Sequence, residues 1–238
     1  MLDISKLILY EDNHILVCVK PAGLGSQGDA SGDIPLTDTV KNYLKIKYNK
    51  PNNVYLGLVH RLDRPVSGIM VLAKTSKAAA RLTKQFNDRQ IKKYYLAMVN
   101  GPANEEAKLK NYLIRQEKKC LIVNEGQDGK IALLEYRKIL NIQNEDLLLI
   151  NLLTGRHHQI RCQLAFQGLN IVGDTLYGSR INFNKGKIAL HACALSFIHP
   201  VKKIKMEFYN IPELWPVLYR DLFTERTEES LKKNLNFV

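Results

Sequence analysis

Short apolar runs separated by polar and glycine-containing turns set the pattern of this chain. Residues 7–10 and 14–19 read as strands around the polar turn Glu11-Asp12-Asn13, and Lys20-Pro21-Ala22-Gly23 ends the second. A loop is expected over 23–35, where Gly25, Gly28, Gly32 and Pro35 suit bending and motion, followed by a helix over about 37–47 behind a Thr or Asp cap. Residues 55–59 and 69–73 are apolar enough to be buried strands, with Pro65, Ser67 and Gly68 supplying the turn chemistry between them. From Ser76 to about Arg89, the residues Ala79, Leu82 and Phe86 recur at helical spacing behind a Thr75/Ser76 cap. A strand from Tyr94 to Val99 closes at Asn100-Gly101-Pro102. Four strand-like runs with short connections fill about 108–153 and suggest an antiparallel sheet. The stretch 153–168 reads as a strand end, a Thr154-Gly155 turn and a helix stopped by Gly168. Two strands, about 188–198 and 203–209, precede a Trp215-Pro216 loop and a charged terminal helix. No repeat or break in composition divides the chain, so the expectation is one α+β domain over 1–238.

Charge narrows the partners. The chain of 238 residues carries 35 Lys+Arg against 23 Asp+Glu, a formal net charge of +12, which favours a polyanion such as nucleic acid. The plainer reading is an ordinary basic protein, since Lys and Asn are abundant throughout. Cys18, Cys120, Cys162 and Cys193 are scattered, form no Cys-x-x-Cys pair and mostly lie in apolar segments, as buried thiols of a reducing compartment do. There is neither a leader pattern nor an apolar run of about 20 residues, so a cytoplasmic protein away from the membrane is expected.

The chemistry concentrates at His60-Arg61-Leu62-Asp63-Arg64, where one carboxylate stands between two arginines in a turn joining two apolar runs. Arg61 and Arg64 disfavour a divalent cation there, attract phosphate and keep the carboxylate ionised. Lys77, Arg81, Lys84 and Arg89 form a basic face on the helix that follows, either a track for a nucleic-acid backbone or a solvated surface. His157 and His158 invite a zinc reading, but adjacent helical residues point about 100° apart and no third ligand lies at helical spacing, so no metal is expected. No phosphate-binding Gly-rich loop, nucleophile elbow or zinc-deaminase pattern is present.

Several blocks in order resemble the RluA-type RNA pseudouridine synthases: IxYEDNHILVCVKPAGL at 8–24, HRLDRPVSGIMVLAKTSKAA at 60–79, KKYYLAMVNG at 92–101, LLTGRHHQIRCQLAFQGLNIVGDTLYG at 152–178 and LHACALSFIHP at 190–200. The resemblance implies a mixed, mostly antiparallel sheet with flanking helices and a central cleft. The S4-like domain that some members carry ahead of the catalytic region is not expected, because the pattern begins almost at Met1. It implies an isomerase without a cofactor that detaches a uracil from its ribose, turns it and rejoins it through C5. Residue by residue, Asp63 matches the catalytic aspartate, acting as nucleophile on the anomeric carbon or as base at C2′. Tyr95 rather than Tyr94 matches the family's tyrosine, and Arg161 matches the arginine expected to pair with Asp63.

Substrate contacts are expected from Arg61, which would fill the space of a flipped uridine, from Arg64, from Arg156 at the opening of the helix, and from His158 and Gln159 within the same turn. Val66 and Gln163 depart from the family's usual threonine and histidine. The partner implied is structured RNA, ribosomal before transfer RNA, bound by a monomer. The alternatives are a noncatalytic RNA-binding or ribosome-assembly protein on the same scaffold, and a base glycosylase releasing uracil.

Overall fold

Strand β2 (Ile15–Lys20) is buried at every position except Val19, so it has no wet face and its sequence shows a continuous apolar run rather than alternation. The computed structural model describes residues 2–142, 144–181, 183, 186–212 and 215. β2 pairs antiparallel with β1 (Ile8–Glu11) on one side and with β4 (Ser67–Ala73) on the other, Val17 facing Val71. The short β3 (Gly57–Leu58) also pairs with β4. Ile15, Val17, Ile69, Val71 and Ala73 point to one face and pack with Ala78 and Leu82 of α2 (Ser76–Asn87) and with Leu195 and Phe197. Leu16, Cys18, Met70 and Leu72 point the other way and are equally buried. Helix α1 (Leu36–Lys47) buries Leu36, Val40 and Leu44 at four-residue steps.

The helix starts follow local chemistry. Thr75 caps α2 as its sequence suggests, its side chain accepting from Ala78 N at 3.2 Å, an interaction worth about 1 kcal/mol. At α1 the expected Thr or Asp cap is not used. Pro35 holds the cap position with no side-chain bond, because Thr37 and Asp38 already lie inside the helix. Gln85 is buried on α2, and its amide donates to Ile198 O at 2.8 Å and accepts from Ile198 N at 2.9 Å, as a neighbouring strand would. All these residues belong to a first unit, the chain up to Lys93 together with Leu195–Asn210.

The second unit takes in Tyr94–Ala194. Its sheet runs in the order β5 (Lys92–Asn100), β9 (Glu145–Leu152), β8 (Lys130–Ile142), β6 (Glu106–Gln116), β7 (Lys119–Val123), every neighbour antiparallel, as the short connections imply. Helix α3 (Gln159–Phe166) packs Cys162 against Leu113, Cys120 and Ala132 of this sheet. It ends at Gly168 in the left-handed region, φ 77°. Strand β10 (Leu190–Ile198) begins in the second unit and ends in the first, where β11 (Lys205–Tyr209) pairs with it. The expected Pro216 loop and terminal helix lie outside the described residues.

Candidate active site

Asp63 sits between β3 and β4, half-buried, and the backbone on each side of it is tied down. The buried Ser26 hydroxyl donates to Leu62 O at 2.7 Å and accepts from Leu62 N at 3.1 Å. Gly23 N donates to Arg64 O at 2.7 Å, and Val66 N donates to the carbonyl of Asp63 itself at 3.0 Å. Leu62 and Val66 are buried anchors on either side. The turn is therefore fixed by three elements, and its carboxylate projects from a backbone with little freedom.

Lys20, the last residue of β2, is wholly buried, and its ammonium donates to Pro21 O at 2.9 Å, Leu24 O at 2.7 Å and Arg64 O at 3.3 Å. Burial lowers its pKa to about 7, with the charge of Asp63 working in the opposite direction. The sequence shows it only as the residue that ends a strand. A lysine closing an otherwise apolar strand, immediately before a proline, is the signal that it faces inward.

His60 also serves the turn. Burial pushes its pKa down to about 3, its Nε2 accepts from Val71 N at 3.0 Å, and its ring stacks on Phe86 of α2 with centroids 4.7 Å apart. It is a neutral brace between β4 and α2.

Arg64 differs from its expected role. Its guanidinium is bidentate to Asp29, bonds Asp33 at 2.7 Å and Ser31 at 2.6 Å, and also donates to Gly23 O. Two carboxylates, Asp29 and Asp33, within reach of a planar five-donor group outcompete a distant phosphate. The glycine-rich loop expected to move is accordingly stitched to the Asp63 turn at Gly23, Ser26, Asp29, Ser31 and Asp33. Arg61 remains exposed.

In the second unit the β-register places the two tyrosines on opposite faces. Tyr95 faces Ile150, Ile150 faces Tyr136, and Tyr136 faces Ala107, while Tyr94 starts the alternate row through Asn151, Glu135 and Lys108. Ala132, on the Tyr136 face of β8, is packed by Cys162 of α3, so Tyr95 looks to the side where α3 lies and Tyr94 to the opposite one. That opposite side is a groove lined by Tyr94, Glu135, Arg137, Leu149 and Asn151. Burial and the nearby Glu135 raise the Tyr94 pKa to about 12.

α3 starts at Gln159, three residues later than the sequence suggests, so Arg156 precedes the helix instead of opening it. The cause is Gln159 itself. Its Oε1 accepts from Thr154 Oγ1 at 2.7 Å and from Arg156 N at 3.0 Å, and its Nε2 donates to Leu133 O at 3.0 Å. Both ends of a buried amide are thus engaged in holding the turn. Arg156 donates from Nε to Ile131 O at 2.9 Å and stays partly exposed.

Arg161 is buried, and its Nε and one terminal nitrogen form two parallel bonds to Asp174 at 2.6 and 2.7 Å. Its other terminal nitrogen faces His158 Nε2 at 3.0 Å. An arginine only donates, so His158 Nε2 accepts and the proton sits on Nδ1, which faces the Tyr177 hydroxyl at 3.1 Å. Burial and the neighbouring Arg161 hold the His158 pKa down to about 3. His158 has φ 49°, a left-handed conformation that a non-glycine residue adopts at some cost. With both ring nitrogens engaged, it locks Arg161 in place. The sequence reading does not single out Asp174 or Tyr177, which occur in it only inside the block 152–178.

Residues 14–166 match the family model described as RNA pseudouridylate synthase. The chain is 33% identical to ribosomal large subunit pseudouridine synthase D of Zymomonas mobilis over 92% of its own length and 74% of that protein. It is 30% identical to ribosomal large subunit pseudouridine synthase C of Vibrio cholerae, covering 87% of this chain and 66% of that one, just under two thirds. Its fold matches human RNA pseudouridylate synthase domain containing 4 with a TM-score of 0.77 at 22% identity, covering 92% of this chain and 94% of the other. The chain belongs to the RNA pseudouridylate synthase family, with that family's α+β fold. As a member it is an isomerase that converts uridine to pseudouridine in RNA.

Proposed function

We propose that this enzyme acts on ribosomal RNA of the large subunit, using Asp63 for the chemistry with Tyr95 and Arg161 as its partners. The substrate reading is supported by the names of the relatives, which are ribosomal large subunit pseudouridine synthases. The observation that carries the site reading is the rigid presentation of Asp63, whose neighbours Leu62 and Arg64 are bonded to Ser26, Gly23 and Lys20. A catalytic carboxylate must meet one ribose carbon within a few tenths of an ångström, and a braced turn meets that demand where a loose loop does not.

Asp63 attacks the anomeric carbon or removes the C2′ proton; either route ends with uracil joined through C5 and the C5 proton lost. In this reading Tyr95 packs against the base and Arg161 is the arginine that serves Asp63. Arg61, exposed, and Arg156, partly exposed, contact phosphate or fill the space of the flipped nucleotide. Arg64, His158 and Gln159 hold the two loops in shape.

The test uses large-subunit rRNA transcribed with tritium at uridine C5. Wild-type protein should release tritium to solvent. Asp63→Asn should release none, while its affinity for the same RNA stays within about tenfold, because one carboxylate adds little to binding dominated by cationic contacts. Tritium release by the Asn variant near the wild-type rate would overturn the assignment of Asp63. Release from transfer RNA alone would overturn the choice of substrate.

A further inference from the structure

The turn from Gly173 to Gly178 carries two side chains that reach the same turn of α3. Asp174 holds Arg161 through two parallel bonds, and Tyr177 faces His158, which in turn faces the remaining terminal nitrogen of Arg161. The Tyr177 hydroxyl also accepts from Cys120 N at 2.7 Å, and its ring lies 5.1 Å from the guanidinium carbon of Arg161. Arg161 is thus fixed in the plane of its fork and from the side.

The turn that does this is itself rigid. Tyr177 N and Ser179 N both donate to Asp174 O at 3.0 Å, and Gly173 N donates to Ser179 Oγ at 3.2 Å. Gly173 has φ 85°, and a Cβ there would come within 2.8 Å of Lys187 O, so the backbone beside Asp174 has one available path. Asp174 is 1% exposed and Arg161 5% exposed. An apolar pair of similar volume serves stability as well as a buried ion pair does, whereas only the pair fixes where a guanidinium points.

We propose that Asp174 is a positioning residue that acts through Arg161: its carboxylate sets the orientation of the guanidinium, and the arm from Tyr177 through His158 prevents its rotation. This rests on the reading of Arg161 as the partner of Asp63. Asp174 itself touches no substrate.

The experiment combines turnover with a direct signal from the guanidinium. In protein labelled with 15N-arginine, Arg161 Nε–H should exchange slowly with solvent, its resonance identified by its absence in Arg161→Met. Asp174→Asn should lower kcat at least 30-fold with KM for RNA within threefold, and should speed exchange of that proton at least tenfold. Should Asp174→Asn fail to fold, Asp174→Glu, which keeps the charge and moves the carboxylate by one methylene, replaces it in both measurements with the same direction expected. Unchanged kcat in the folded variant overturns the proposal. A fall in kcat with unchanged exchange overturns it too, since Asp174 would then act by another route. Wild-type kcat in Arg161→Met removes the reading of Arg161, and the proposal with it, whatever the exchange rates show.

Discussion

The ammonium of Lys20 donates to the carbonyl of Arg64 at 3.3 Å, so the end of β2 grips the chain one residue beyond Asp63. Lys20→Met keeps most of the side-chain volume and removes the donor from three carbonyls, two of them in the adjoining loop. Arg64 O keeps Gly23 N as a donor, so the loss falls on the partly buried Pro21 O and Leu24 O, at about 1–3 kcal/mol each and partly relieved by water. Lys20→Met should therefore lose about 2–4 kcal/mol of stability in urea unfolding and turn over more slowly at temperatures where it is still folded. A native midpoint with native turnover would show that the three bonds matter little.

Tyr94 and Tyr95 are neighbours in β5 that face opposite sides of the second unit's sheet. Tyr95→Phe should lower turnover by orders of magnitude with little change in RNA affinity. Tyr94→Phe removes a hydroxyl from the groove on the other side and should change stability by about 1 kcal/mol or less, with turnover within a few-fold. Steady-state tritium release from both variants decides the matter, and the reverse ranking would mean that the motif is aligned one residue out.

Two histidines are held neutral by burial, His60 and His158, each with a pKa of about 3. Unfolding restores an ordinary value near 6.5. Between these values the unfolded chain binds more protons than the folded one, so stability is full above about pH 6.5 and falls as pH drops towards 3, at up to about 1.4 kcal/mol per pH unit for each histidine. Thermal melts should shift downward from pH 7 to pH 5. His60→Gln, which can still accept from Val71 N, should melt lower at pH 7 yet show a shallower dependence. An identical dependence in that variant would assign the effect to other groups.

On the exposed face of α2 the basic residues do not form one class. Arg81 donates to Pro200 O at 2.8 Å, whereas Lys84 pairs with Asp88 one turn away and Lys77 is simply exposed. Replacing Lys77 and Lys84 with Gln should reduce the salt dependence of RNA binding by about 0.7–0.9 in log–log slope for each phosphate no longer neutralised, with chemistry on bound RNA unchanged. Fluorescence anisotropy across a salt series measures it. If the slope stays put, this face is only solvated.

Strands are legible in the sequence because turn residues bound their apolar runs: β2, β4, β5 and the four runs of the middle sheet all lie close to where those runs place them. That Tyr94 and Tyr95 face opposite sides of their sheet is legible too, since alternation in a strand leaves only one of two neighbours on a given face. The start of α3 is not, because Gln159 bonds Thr154, Arg156 and Leu133 through its side chain, and a backbone in the left-handed region at His158 leaves no mark in hydrophobic spacing. Arg64 escapes a sequence reading for a related reason. Its carboxylate partners, Asp29 and Asp33, lie more than thirty residues away in a loop whose glycines suggest motion.

The hydroxyl of Ser26 spans 36 residues of chain to bond both backbone groups of Leu62. Because it donates to one and accepts from the other, the segment from Lys20 to Leu36 and the turn around Asp63 form a single inheritable module. Anyone transplanting this carboxylate into another scaffold would need to carry both pieces, and a loop swap that kept only the His60-to-Gly68 segment would deliver the acid without its aim. Within that module a side chain added at Gly28 meets nothing within 4 Å, whereas a change at Ser26 breaks both bonds to Leu62.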